Sequence, residues 1–229
     1  NTTGSKANHT EIQKLVVKMK DELEKISKSA KEIAKQLHES RKRAALGLTK
    51  SVKETLAFLD MPKVAFEAGI SAASEFNPCG LDEVEFLISA NPGEPLMPMA
   101  RIASGGELAR IMLSLKNVLN LSDGIDTVIF DEIDTGISGK TSRKVGIKLK
   151  EIGREAQVIC VTHSAQIASL AHTHLFVSKK EVDGRTESAV SLLDDDARVS
   201  EIARILGGIE ITSAQRVAAL EMISEGKSY

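Results

Sequence analysis

Apolar residues Ile12, Val16, Met19, Leu23, Ile26, Ala30, Ile33 and Leu37 fall alternately four and three positions apart, and that spacing constrains the chain more than any other feature. A period of 3.5 belongs to an α-helix whose apolar seam faces another helix. The seam continues less strictly through Ala44, Leu48, Val52, Leu56 and Leu59, with Gly47 as its one interruption, until Met61-Pro62 breaks the helix. We therefore expect a helical coiled-coil arm over residues 10–59, in preference to an amphipathic helix lying on a globular core. Its partner should be an antiparallel helix from outside these residues. Residues 10–58 carry twelve Lys or Arg against seven Asp or Glu, in a chain of formal net charge −2. A basic arm permits contact with a DNA backbone, most densely at Arg41-Lys42-Arg43, although a solvated helix face is the commoner meaning of such a run. Residues 1–9 are small and polar and read as a flexible tail or linker.

The chemistry is concentrated between Arg101 and Gly139. Ser104, followed three residues later by Glu107 and then by Leu108, Ile111, Met112, Leu115 and Leu119, has the pattern of a capping box opening a helix. Gly105 and Gly106 inside that box weaken the first turn unless something must approach the backbone closely. Amides at a helix start favour an anion, so a phosphate is the natural candidate beside the plain structural cap. Thr127-Val-Ile-Phe130 is a short apolar run that fits a strand covered on both faces of a parallel sheet, and Asp131 and Glu132 arrive at its carboxyl end. Ligands of open α/β sheets bind at that edge. One carboxylate there can hold Mg2+ through water while its neighbour orients or deprotonates an attacking water; a solvated acidic pair is the bland alternative. Gln157-Val-Ile-Cys-Val-Thr162 reads as a second buried strand that delivers His163 to the same edge.

In this order the motifs resemble those of ABC-type ATPases. Ser104-Gly105-Gly106-Glu107 is similar to the signature loop, Val128 to Glu132 to the Walker B strand, Asp134 to Gly139 to the D-loop, and Val161 to Ser164 to the switch-histidine segment. Within that superfamily, Asn91-Pro-Gly-Glu-Pro95, the Asp131 to Gly139 run and Ile205-Leu-Gly-Gly208 resemble the carboxyl-terminal part of SMC-like bacterial DNA-repair ATPases, over residues 60–225. The resemblance implies an α/β fold: the carboxyl-terminal lobe of an ABC-type head over residues 60–229, mainly a parallel sheet flanked by helices, behind the arm helix. It further implies ATP and Mg2+ as ligands. Asp131 would bind the metal, Glu132 would position the water and His163 would sense the γ-phosphate. Asp134 and Ser138 would act across a dimer junction, and Ser104, Gly105, Gly106 and Glu107 would cap a nucleotide held by the partner head. The implied partners are the amino-terminal, P-loop-bearing half of the same head, a second subunit forming a homodimer, and DNA. The implied setting is the cytoplasm, in association with the nucleoid, in double-strand break repair and recombination.

Asp134-Thr-Gly-Ile-Ser-Gly-Lys-Thr141 is one residue short of a P-loop, which would make the chain a self-contained kinase or NTPase. Asp134 stands where that motif needs its first glycine, and Asp131 and Glu132 crowd acidic groups where a polyphosphate should sit. Lys140 is therefore read as a solvated residue in the first turn of a helix. No other stretch supplies a P-loop, and the chain starts at Asn1 instead of Met, so a piece of a longer protein, inactive alone, is expected. A non-catalytic assembly module and a transporter-type ATPase are the remaining alternatives. The composition, 42% hydrophobic and 27% charged, can bury a core and offers no stretch for a membrane partner. Cys79 and Cys160 are too few for a disulfide framework. The rest should comprise strands near Lys63–Ala68 and Glu83–Ser89 around Asn77–Gly80, a helix near Lys140–Arg154 and a short helix near Ala165–Ala171. Strands near His174–Ser178 and Thr186–Leu193 joined by Asp183-Gly184, and helices near Ala197–Leu206 and Ser213–Ser224, follow.

Overall fold

A computed structural model describes residues 3–89, 91, 93–101, 105–119, 124–182, 185–208 and 210–229, leaving undescribed the side chains of 3–10, 180 and 182. Helix α1 runs Thr3–Phe58, so it begins inside the stretch that composition marked as a linker. It is followed by β1 (Ala65–Asn77), β2 (Gly80–Ser89), a two-residue β3 (Met97–Pro98), α2 (Gly105–Leu119) and β4 (Thr127–Asp131). Then come α3 (Gly139–Ile152), β5 (Gln157–Val161), α4 (Ala165–Ala168), β6 (Leu175–Val182), β7 (Arg185–Leu192), α5 (Asp195–Gly207) and α6 (Ser213–Lys227). None of the described helices is long and apolar enough to cross a membrane.

The chain divides into two compact units, residues 1–49 with 67–87, and residues 50–66 with 88–229. The first joins most of α1 to most of β1 and β2, neighbours in one sheet whose connection is too short to be anything but antiparallel. At their turn Asn77 Oδ1 accepts the Cys79 amide at 2.7 Å, and Gly80 takes a φ of +104°. A side chain at Gly80 would also press on Leu37, 3.3 Å from the missing Cβ. Just beyond, buried Asp82 accepts from Arg41 at 2.9 Å and lies 2.6 Å from His38 Nδ1. Arg41 first and His38 second hold the Asp82 carboxyl below the usual range, while burial opposes them. The inward stripe of α1 in this unit is Ala30, Ala34, His38, Arg41, Ala45 and Leu48, so it passes through Ala45 where the heptad count placed Ala44. Ile12, Leu23, Ile26 and Ile33 are exposed.

The second unit is the α/β lobe. Strands β4 and β5 pair in parallel, from Thr127 opposite Gln157 to Asp131 opposite Val161. One face of the pair, with Phe130, joins Leu59, Leu113, Ile133, Val145, Leu149, Ile152 and Ile167 in the main core. The other face is open: Ile129, Ile159 and Val161 are 66%, 43% and 56% exposed. The expectation of a strand covered on both sides is corrected here, because a short apolar run does not reveal whether this chain supplies both covers. A second core joins α4, α5 and α6 through Ala165, Ala168, Val199, Ile202, Ala203, Ala219 and Ile223. Thr212 and Gln215 form a capping box that starts α6, and Asp194 caps α5 by accepting the Ala197 amide at 2.8 Å. Strands β6 and β7 pair antiparallel from Leu175 opposite Leu192 to Val182 opposite Arg185; the turn assigned to Asp183-Gly184 lies outside the described residues.

Candidate functional site at the carboxyl edge of the parallel strands

The register of β4 and β5 brings their ends together, so the residues that leave them share one edge. Asp131 and Glu132 are both exposed there. Glu132 has a φ of +54°, left-handed for a residue with a side chain, and its carbonyl accepts the Thr135 amide at 3.2 Å. Such a conformation costs roughly 1–2 kcal/mol and persists only where the surroundings impose it. The fixed turn sends Ile133 into the core and Asp134 under the edge, with relative exposures of 0% and 4%.

Asp134 connects the two strand ends. Its Oδ2 accepts from the Thr162 hydroxyl at 2.5 Å and from the His163 amide at 3.1 Å, and it lies 3.4 Å from His163 Nδ1. The imidazole itself stands mostly in solvent. Asp134 Oδ1 is buried without a partner among the described residues. Cys160 lies close by, and its thiol is pushed up to about 12, by burial first and then by the Asp134 and Asp131 carboxylates. It is therefore a neutral packing group.

On the other flank α2 starts with Gly105. Ser104 lies outside the described residues, so its cap does too. The close approach that the glycine pair implied is made, at Gly106, by the chain itself: an added Cβ would stand 3.0 Å from the Thr135 carbonyl and 3.4 Å from the Arg110 guanidinium. Gly105 has nothing within 4 Å of the corresponding position among the described residues. Arg110 is buried and donates to the carbonyls of Ile133 at 3.5 Å and Thr135 at 3.3 Å, fastening the start of α2 to the turn after β4. Burial pushes its guanidinium down and Glu107 opposes this, which puts Glu107 in the same electrostatic neighbourhood. Arg110 and Thr162 do not stand out in the sequence; the available signal was Arg110, an arginine on the apolar side of a helix.

Ser138 caps α3, accepting the Thr141 amide at 3.5 Å. Thr141, the residue a P-loop would use for a metal, instead donates to Asp60 at 2.8 Å, and Lys144 binds the same carboxylate at 2.6 Å. Lys144 first and Thr141 second hold the Asp60 carboxyl below its usual range. Lys140 is exposed in the first turn of α3, so the near-match to a P-loop is an ordinary helix start.

Among the described residues no group of three or more His, Cys, Asp or Glu could hold a metal ion. A Mg2+ site does not require such a group, because that ion keeps most of its waters and is held by one or two carboxylates together with substrate phosphates. A cavity of about 310 Å3 lies apart from this edge, lined by Lys150, Arg154, His172, Arg198 and Lys227. Three of its cations serve the chain: Arg198 donates to the carbonyls of Ala168, Ser169 and Ala171, Arg154 to that of Tyr229, and Lys150 to that of Gly226. These are helix-terminal carbonyls, the usual partners of basic side chains.

The chain is 44% identical over 187 residues to the DNA repair protein RecN of Halalkalibacterium halodurans, covering 80% of this chain and 33% of the relative. It is RecN-like. A second relative, the DNA repair protein RecN of Bacillus subtilis, is 34% identical over 222 residues, covering 90% of this chain and 38% of the relative. The RecN-like chain thus spans about a third of the length of the curated relatives it matches. No protein-family model matches it. Its fold is that of part of an SMC head with an arm helix, similar to the Smc head domain with a coiled coil and joint from Pyrococcus yayanosii. The TM-score is 0.59 at 21% identity, over 97% of this chain and 37% of that one.

Proposed function

We propose that this chain is the carboxyl-terminal half of a RecN-like, SMC-type ATPase head with the base of its arm, and that two heads bind and hydrolyse ATP between them in the repair of DNA double-strand breaks. The observation that carries this reading is the shared edge where Asp131 and Glu132 leave β4 and His163 leaves β5, tied together through Asp134. In it, the exposed Asp131 carboxylate would hold Mg2+. Bound there, the ion would neutralise charge on the phosphates. Glu132, fixed by its left-handed backbone, orients and deprotonates the attacking water, and His163 meets the γ-phosphate. The helix-start amides of Gly105, Gly106 and Glu107 cap a nucleotide held by the second head, Ser104 of the same motif shares that role, and Ser138 lies beside the junction.

The open face of the parallel pair supports an amino-terminal, P-loop-bearing half as the missing cover. Ile129, Ile159 and Val161 lie on the same side as Asp131, an apolar surface that monomeric domains seldom leave in water. The same holds for Leu175, Val177, Val190 and Leu192 on the β6–β7 pair. DNA is the proposed partner of the assembled protein and the nucleoid its location, on the strength of the repair role named for the relatives.

Glu132→Gln in the full-length protein tests the reading. Turnover should fall about 10²–10⁴-fold, the usual contribution of a general base, while ATP binding persists and the dimer accumulates. Hydrolysis at the unaltered rate would remove Glu132 from that role. The chain alone should hydrolyse ATP no faster than a buffer blank.

A further inference from the structure

The Asp134 carboxylate is buried, with 1% of its side chain exposed, yet its hydrogen bonds are lopsided. Oδ2 accepts two donors, Thr162 Oγ1 and the His163 amide, whereas Oδ1 has none among the described residues. A buried carboxylate is costly unless donors surround it, so a group that adds another donor is strongly favoured. The His163 imidazole stands beside this carboxylate, its Nδ1 3.4 Å from Oδ2. That is long for a hydrogen bond, and a small rotation of the ring would close it.

We propose that Asp134 is the positioning residue for His163: it pins the Thr162–His163 turn through two donors and keeps the proton on Nδ1, so that Nε2 is the atom His163 presents at the strand edge. Its catalytic meaning rests on the function proposed above; its geometry does not. The tautomer of a neutral histidine is set by whatever the other ring nitrogen bonds, and a carboxylate behind the ring is a common way of fixing both proton and orientation. The parallel register makes the arrangement possible: Asp131 and Val161 are level, so Asp134 and His163 emerge side by side. The carboxylate assigned by resemblance to a dimer junction is thereby spent within its own chain.

The test is imidazole nitrogen NMR on the 229-residue chain at alkaline pH, with the His163 signals assigned by their loss in His163→Gln. Wild type should show Nδ1 protonated. Asp134→Ala should move the Nδ1 shift toward that of an unprotonated ring nitrogen, and Thr162→Val, which keeps the carboxylate, should leave it in place. An unchanged Nδ1 shift in folded Asp134→Ala overturns the proposal. If that variant does not fold, Asp134→Asn decides: a shift toward the unprotonated value supports it, and the wild-type value overturns it. In full-length protein Asp134→Asn should lower kcat with little change in KM for ATP. A tautomer change without a kcat change would leave the positioning intact and count against His163 as the phosphate sensor, so the two readings fail separately.

Discussion

The two ends of α1 carry the same apolar period and meet opposite fates. Near the start Ile12, Leu23 and Ile26 are 59%, 67% and 67% exposed; near the end Val52 and Leu56, with Leu59 just beyond it, are fully buried. Spacing shows that a helix has an apolar stripe, and composition shows how apolar it is, but neither says what covers it. In the lobe the cover belongs to this chain, because Leu59 packs with Leu113, Phe130 and Val145. Along the first part of the arm, from Ile12 to Ile26, nothing covers the seam among the described residues, which is what the seam of a coiled coil looks like when one strand is seen.

Leu56→Ala puts the sharpest strain on this contrast: it should destabilise the lobe by about 2–5 kcal/mol, read from denaturant unfolding, because a cavity opens where the chain has no replacement. Leu23→Ala in a dilute sample should cost within about 0.5 kcal/mol. Equal costs would mean that the seam is covered in solution, so sedimentation belongs beside the unfolding curves. At higher concentration the chain should self-associate, and Leu23→Glu with Ile26→Glu should return it to monomer; a wild-type chain that stays monomeric throughout would count against a coiled-coil seam.

Asp82 supplies a pH-dependent difference between the regions. Its carboxyl is lower in the fold than in the unfolded chain, where about 3.9 is usual, so the stabilisation from Arg41 and His38 is fully present above that value. It is lost as pH falls through the lowered one. Amide protection in β1 and β2 should therefore exceed that of Asp82→Asn at neutral pH and converge with it in strong acid. The smallest effect concerns DNA. Arg41 is committed to Asp82, which leaves Lys42 and Arg43, both exposed, as the cations of the cluster that can face a phosphate. Reversing those two in the full-length protein should weaken binding and flatten its salt dependence by about one unit of slope for each phosphate left without its cation.

Most of the elements were legible because their periods are strong and Met61-Pro62 marks the end of α1; the caps Ser138, Asp194 and Thr212 at the starts of α3, α5 and α6 came from the structure. The shared edge was legible for the same reason, since two apolar runs in order each deliver polar residues. Three features needed three dimensions. Gly106 is small because Thr135 and Arg110 crowd it, a contact between segments that spacing does not join. Asp134 looked like one more loop acid until its burial against Thr162 and His163 was visible. The open side of β4 was invisible because Ile129 is equally apolar whether or not anything lies over it.

The two cysteines are left chemically unequal. Thiols react as thiolates, and Cys160, displaced to about 12, is starved of that form at the pH of ordinary alkylation, whereas Cys79 stands exposed in the turn between β1 and β2. A maleimide dye added to the native chain should settle at Cys79, giving the arm a reporter without any engineered residue.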